Sequence, residues 1–330
     1  MLYSITIFIF IRYFKRKLLN LLEIVFMKSA LILLLFCTSI FNDSVAQGLA
    51  NSPASVLWKI SRPGSTMTSY ILGSVHTYGS AWVDSFPAID SLVLKQDLFI
   101  CENLLLIDTA KSRTFSKSIA SPTVSAKKSF GKDVKLIRTH FLETSDLDIE
   151  KILDANNNQN SFLFSMYYIL LYQLMEKRNL KMSTDFLPMD DVILRRAHLA
   201  GKQCIGLDET NSLGKMISSK KQMNSIKSTI IDLVKELEDV DISRKRNKEF
   251  LKYLKMVDEY NNAKFSYDGN QVSDKGVMIV SRNKSWIKSI PKYLFINSCF
   301  IVVGIMHLNG KEGLLNMLKE RGFELTPIDL

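Results

Sequence analysis

The chain has 330 residues, 47% hydrophobic and 23% charged, with only 14 Gly and 7 Pro, a balance that excludes disordered, collagenous and linker-like proteins. Lys and Arg outnumber Asp and Glu by 43 to 33, so a nucleic-acid or membrane partner has to be weighed. Four Cys without C-x-x-C spacing exclude a disulfide scaffold and a zinc ribbon. The first 46 residues differ from the rest. Met1 to Ile11 is almost wholly apolar and precedes the basic cluster Arg12, Lys15, Arg16 and Lys17. A second start, Met27-Lys28-Ser29, leads into the apolar run Ala30 to Cys37 and the small-x-small site Ser44-Val45-Ala46. This order predicts a secretory signal peptide over residues 1–46, cleaved after Ala46, and a periplasmic or extracellular protein. A membrane anchor and a lipoprotein attached through Cys37 are the alternatives; the basic cluster interrupts the apolar run that a spanning helix needs. Without the leader the charge surplus falls from +10 to +7.

From Gln47 onward the pattern is one of strands alternating with helices. Val56 to Ile60 and Ser69 to Leu72 read as strands of a hairpin turning at Pro63-Gly64. Pro87 to Lys95 has helical spacing, and Asp97 to Glu102 is a short buried strand. Residues 108–135 read as a polar loop with short helices. Residues 148–178 read as helical, and within them Phe162 to Met175, apolar on nearly every side, as a buried helix. Asp190 to Ala200 is a helix capped by Gly201, and Gln203 to Asp208 is a strand. Residues 211–262 are helical and Lys-rich. They carry both signs of charge and neither aromatic interleaving nor helix-turn-helix spacing, so no nucleic-acid partner is expected. Asp274 to Ile290 is a helix, Phe300 to Val303 a buried strand, Gly313 to Glu320 a helix and Phe323 to Ile328 a strand. The expected fold is α/β: a mixed β-sheet flanked by helices, with a helical middle insertion, in one domain over residues 47–330.

Two of the four His share one context: an apolar strand ends and Gly-x-x-His follows, at Gly73–His76 and Gly304–His307. Glu102 also stands at a strand end. Ligands of open α/β sheets bind beyond the carboxyl ends of strands, so these three groups could converge despite 231 residues between the His. Two imidazoles and a carboxylate make a set for a divalent ion that activates water. Asp190 and Glu209 are candidate bases. The structural alternative is that Glu102 caps a helix or pairs with Arg282. His140 and His198 lack such a context and read as surface or satisfied residues, and Cys101, Cys204 and Cys299 as small packing residues.

Several segments together resemble the TraB/PrgY/GumN family, which includes the Tiki proteases. They are Leu57-Trp58-Lys59-Ile60, Tyr70-Ile71-Leu72-Gly73-Ser74-Val75-His76, Cys101-Glu102, Arg282-Asn283 and Val303-Gly304-Ile305-Met306-His307 through Leu315. The likeness spans roughly residues 55–328 and includes Asp190, Gly201 and Lys202. Gly206-Leu207-Asp208-Glu209 departs from the family's Gly-Leu-Glu-Thr. The resemblance implies a fold like that of the ChaN and erythromycin-esterase group. It implies metal-dependent peptidase chemistry, with manganese or cobalt favoured over zinc, His76, Glu102 and His307 as ligands, and Glu102 as a catalytic group. Arg282 would orient Glu102 or stabilise an oxyanion. The function expected is that of an exported metal-dependent hydrolase acting on a peptide or protein. A non-enzymatic envelope protein using the same pocket is the alternative, and haem binding, by likeness to ChaN, a third.

Overall fold

The computed structural model describes residues 54–76, 78–120, 125–155, 159–177, 187–239, 259–260, 263–268 and 277–330. The expected leader with Cys37, and Arg244-Lys245-Arg246, lie outside the described residues. In chain order, β1 (Leu57–Ser61) and β2 (Ser69–Ser74) precede α1 (Ser80–Asp84), α2 (Ala88–Lys95) and β3 (Leu98–Cys101). A run of helices follows: α3 (Thr109–Ser118), α4 (Ala126–Phe130), α5 (Val134–Ser145), α6 (Ile149–Ala155) and α7 (Gln159–Lys177). Next come α8 (Met189–Leu199), β4 (Gln203–Gly206), α9 (Thr210–Ile217) and α10 (Lys220–Leu237). The chain closes with α11 (Val277–Trp286), α12 (Ile290–Ile296), β5 (Cys299–Gly304), α13 (Leu314–Lys319) and β6 (Glu324–Ile328). Among the described residues no helix is long and apolar enough to cross a membrane.

The strands form one six-stranded mixed sheet in the order β4-β3-β5-β2-β1-β6. β5 runs parallel to both β3 and β2, and β4 parallel to β3; β1 is antiparallel to β2 and to β6. The expected hairpin is present, with Leu57 opposite Leu72 and Gly64 at φ +75° in its turn. All six residues of β5, Cys-Phe-Ile-Val-Val-Gly, are buried, which is why its sequence is an uninterrupted apolar run. β6 carries Pro327 opposite Trp58; as an edge strand it tolerates the missing N–H. Gly201, at φ +75°, ends α8 in the left-handed conformation expected of its cap.

The molecule divides into two compact units. The sheet unit takes the described residues of Leu35–Asp108, Lys181–Glu209 and Lys248–Leu330. The helical unit takes those of Thr109–Leu180 and Thr210–Asn247. In the helical unit α7 packs on α10, and its Phe162, Leu163, Phe164, Met166, Tyr167 and Leu170 are buried, as an all-round apolar helix requires. The helical stretch expected over 148–178 is present as α6 and α7, the latter holding the apolar segment from Phe162. One reading from sequence changes. A separate helix, α12, follows α11, with Pro291 in its first turn, where a missing N–H costs nothing.

Candidate active site

The site forms in the sheet unit where β3, β5 and β2 lie side by side and end together, with Cys101 opposite Val302 and Ser74 opposite Gly304. The chain's two Gly-x-x-His segments continue β2 and β5, and Glu102 follows β3 directly. All three side chains are buried: His76, Glu102 and His307 are 3%, 2% and 2% exposed. Gly73 is required for close approach, since a Cβ there would lie 2.2 Å from Ile305 Cδ1 and 3.0 Å from Ile305 Cα. The absent side chain lets β2 sit directly against the turn Ile305–His307 that carries the second His.

Arg282, on α11, organises the centre. Its Nη2 donates to Glu102 Oε2 at 2.5 Å and to Asp208 Oδ2 at 2.6 Å. Its Nε donates to Asp208 Oδ1 at 3.1 Å, and its Nη1 to His307 Nε2 at 3.2 Å. Glu102 Oε1 accepts the Gly304 N–H at 2.7 Å and lies 3.8 Å from His307 Nε2. Asp208, which departs from the family's Glu, thus grips the guanidinium with both oxygens. It also accepts the Trp286 Nε1–H at 2.9 Å, and Trp286 stacks 4.4 Å from the Arg282 guanidinium and 4.4 Å from the His307 ring.

Hydrogen-bond bookkeeping assigns the His307 tautomer. Both Nδ2 hydrogens of Asn283 go to carbonyls, of His307 at 3.0 Å and of Glu312 at 2.8 Å. Asn283 Oδ1, 2.6 Å from His307 Nδ1, is therefore an acceptor, and Nδ1 carries the proton. His307 Nε2 then offers a lone pair, which takes the Arg282 N–H. On the other imidazole, His76 Nδ1 meets Asp190 Oδ1 at 2.6 Å. Coordination by either ring would use Nε2. An oxygen partner on the other nitrogen is the usual support of a metal-binding His.

Burial opposes ionisation of Glu102, but the Arg282 guanidinium, the His307 and His76 rings and the Gly304 N–H outweigh it and hold its carboxyl at about 2. Burial also disfavours charge on His76, but the Asp190 carboxylate dominates and raises it. Asp208 is pushed up by burial, which Arg282 only partly offsets. Glu102, Asp190, Asp191 and Asp208 all have buried side chains, whereas Arg282 is the one buried Lys or Arg among the described residues. The centre thus holds more buried carboxyl groups than buried guanidinium. Among the described residues, however, no three donors stand close enough to enclose an ion. The Arg282 guanidinium instead bridges Glu102 and His307.

The remaining candidates separate. Asp190 touches His76, whereas Glu209 is exposed. Lys202 serves α2 instead, donating to the carbonyls of Leu94 at 2.5 Å and Gln96 at 2.7 Å at that helix's C-terminal end. His140 is a satisfied residue of the helical unit, between Glu238 at 2.5 Å and Gln173 at 2.8 Å, and His198 is exposed. Cys101 and Cys299 are buried free thiols and Cys204 is half-buried, in keeping with packing roles.

Sequence reasoning missed Trp286 and the aromatic wall of Tyr78, Trp82 and Tyr260. There Tyr260 stacks 5.7 Å from Tyr78 and donates its hydroxyl to the Gly73 carbonyl. Trp286 was findable, since it lies four residues after Arg282 on one helix and so shares its face. No curated protein and no solved structure matches the chain. With this site at the ends of its strands, the chain matches the TraB/PrgY/gumN family over residues 56–327 and belongs to it.

Proposed function

We propose that the protein is an exported metal-dependent hydrolase acting on peptides or proteins, with a frame of the ChaN and erythromycin-esterase kind. The observation that carries this reading is the excess of buried carboxylate over buried guanidinium around two imidazoles whose Nδ1 atoms are held by Asp190 and Asn283. A divalent cation held by His76, Glu102 and His307 would add positive charge among these buried carboxyl groups. Manganese or cobalt suits this mixed nitrogen and oxygen set. Such an ion would supply an acidified water and polarise the scissile carbonyl.

The protein's own groups account for the rest. Asp190 behind its Nδ1 would keep the His76 ring turned so that Nε2 faces the ion. Glu102, held ionised, stays an acceptor throughout. Arg282, oriented by Asp208 through Nε and Nη2, can donate from Nη1 to the oxygen on which negative charge develops. Tyr78, Trp82 and Tyr260 help to keep bulk water from the His76 side.

The test is elemental analysis of the purified chain after dialysis and manganese reloading, followed by digestion of a peptide library. About one ion per chain is expected, with loss of uptake in His76→Ala and His307→Ala and loss of cleavage in Glu102→Gln. Full uptake in both His variants would sink the metal reading. Metal uptake without cleavage of any peptide would favour a ligand-binding role for the same pocket.

A further inference from the structure

Independently of the hydrolase reading, we propose that one face of the helical unit docks on an anionic lipid bilayer, held by charge and without insertion. The observation is a segregation of charge. Within that unit α3, α4, α9 and residues 220–231 of α10 carry eight Lys and one Arg and not one Asp or Glu. These nine cations exceed the +7 surplus of residues 47–330, so the rest of that stretch has a slight negative balance. Carboxylates elsewhere in the unit are taken by other cations: Asp148 and Glu150 by Arg138, Asp133 by Lys235 and Asp239 by Lys177.

Packing gathers these cations. α3 lies so close to α9 that Gly214 leaves no room for a Cβ beside Ser118, and Lys117 and Lys215 each stand one position from that contact. Ser219 then caps α10, whose first residues are Lys220 and Lys221, and Lys227 lies two turns on, on the side of Lys220. Lys227 is half-buried beside Lys128 of α4, and burial together with that neighbouring ammonium pushes its own ammonium down. The other five are exposed. α10 has 18 residues, so its ends are about 27 Å apart, and the carboxylates of Glu238 and Asp239 lie well beyond a Debye length of about 10 Å from Lys220. α10 also starts on two Lys with no acid in its first turn, against its own dipole, and an anionic surface offsets both. The chemistry selects a bilayer over a nucleic acid. Phe115 and Phe130 are the aromatic residues of these segments and both are buried, leaving no exposed ring for a base. Lys, a compact point charge, outnumbers Arg, whose fork suits bidentate recognition of single phosphates. The exposed large apolar side chains among the described residues all lie outside these segments, so adsorption rests on charge and reverses with salt.

The experiment is sedimentation of the full chain with phosphatidylcholine vesicles, with and without one quarter phosphatidylglycerol, at about 0.1 M and about 0.5 M salt. Partitioning should be at least about tenfold stronger onto the anionic vesicles and should lose that advantage at the higher salt. A Lys near an anionic surface contributes roughly fivefold in binding, so Lys215→Gln, Lys220→Gln and Lys221→Gln combined should weaken it roughly a hundredfold. The matching triple of exposed residues on the sheet unit, Lys95→Gln, Lys288→Gln and Lys292→Gln, should change it less than about threefold. Should the first triple not fold by circular dichroism, Lys117→Gln, Lys127→Gln and Lys128→Gln take its place. Equal losses in the face and control triples would mean diffuse attraction and overturn the docking face, as would binding that ignores phosphatidylglycerol. Tighter binding to a single-stranded oligonucleotide than to the anionic vesicles, abolished by the same face triple, would overturn the bilayer as the partner.

Discussion

Asn283→Ala tests how the second His is held. Asn283 is fully buried, and its amide makes three hydrogen bonds, to His307 Nδ1 at 2.6 Å, His307 O at 3.0 Å and Glu312 O at 2.8 Å. Truncation leaves one donor and two acceptors without these partners. Each buried group left unsatisfied costs about 1–3 kcal/mol. Water entering the vacated volume would recover part of this, so a loss of about 3–5 kcal/mol is expected. The assay is urea unfolding of the full chain followed by circular dichroism, where the midpoint should fall at unchanged slope. The same variant no longer fixes the His307 tautomer, so manganese affinity should drop by about 10–100-fold, the usual cost of losing a supporting residue behind a ligand. A stability loss below about 1 kcal/mol would mean that the amide is not the strap described here.

Further outcomes are expected elsewhere. Gly73→Ala forces a methyl group to 2.2 Å from Ile305 Cδ1 and 3.0 Å from its Cα; the backbone atom cannot move aside, so about 2–3 kcal/mol should be lost in the same unfolding assay. The depressed carboxyl of Glu102, at about 2 against an ordinary 4.5, stabilises the fold above the ordinary value and ceases to do so as pH falls through that interval. The acid side of the stability curve should therefore be shallower in Glu102→Gln than in wild type, and superimposable curves would refute the assignment. Lys202→Met removes an ammonium from the last carbonyls of α2 and should cost about 1 kcal/mol by thermal unfolding, with manganese uptake unchanged. The buried Ser74 hydroxyl at the end of β2 has no hydrogen-bond partner among the described residues, so Ser74→Ala should leave thermal stability equal or raise it by about 1 kcal/mol.

Much of the fold was legible because the responsible interactions are local or depend on composition. A run such as Phe300-Ile301-Val302-Val303 can only be a strand buried on both faces, and a Pro-Gly pair between two alternating segments makes the β1–β2 hairpin. The two Gly-x-x-His segments signalled His delivered just past strand ends. Asp208 was the less readable residue. Its departure from the family's Glu is visible in the order of residues, but its value depends on the reach of an arginine 74 positions away. Lys202 shows the converse. It forms part of the family-like sequence, and the structure assigns it to a helix end.

The amino-acid order by itself determined the strands and most helices, the three strand-end donors, and the chemistry those donors share. These follow from side-chain periodicity and from the hydrogen-bonding and charge of each residue type. The tertiary structure alone decided that β5 lies between β2 and β3, because pairing of strands 200 or more residues apart is settled by how the whole core packs. It alone decided that one guanidinium is shared by Glu102, Asp208 and His307. A buried charge takes whichever partners the closed core brings within hydrogen-bond distance, and no local pattern encodes that distance.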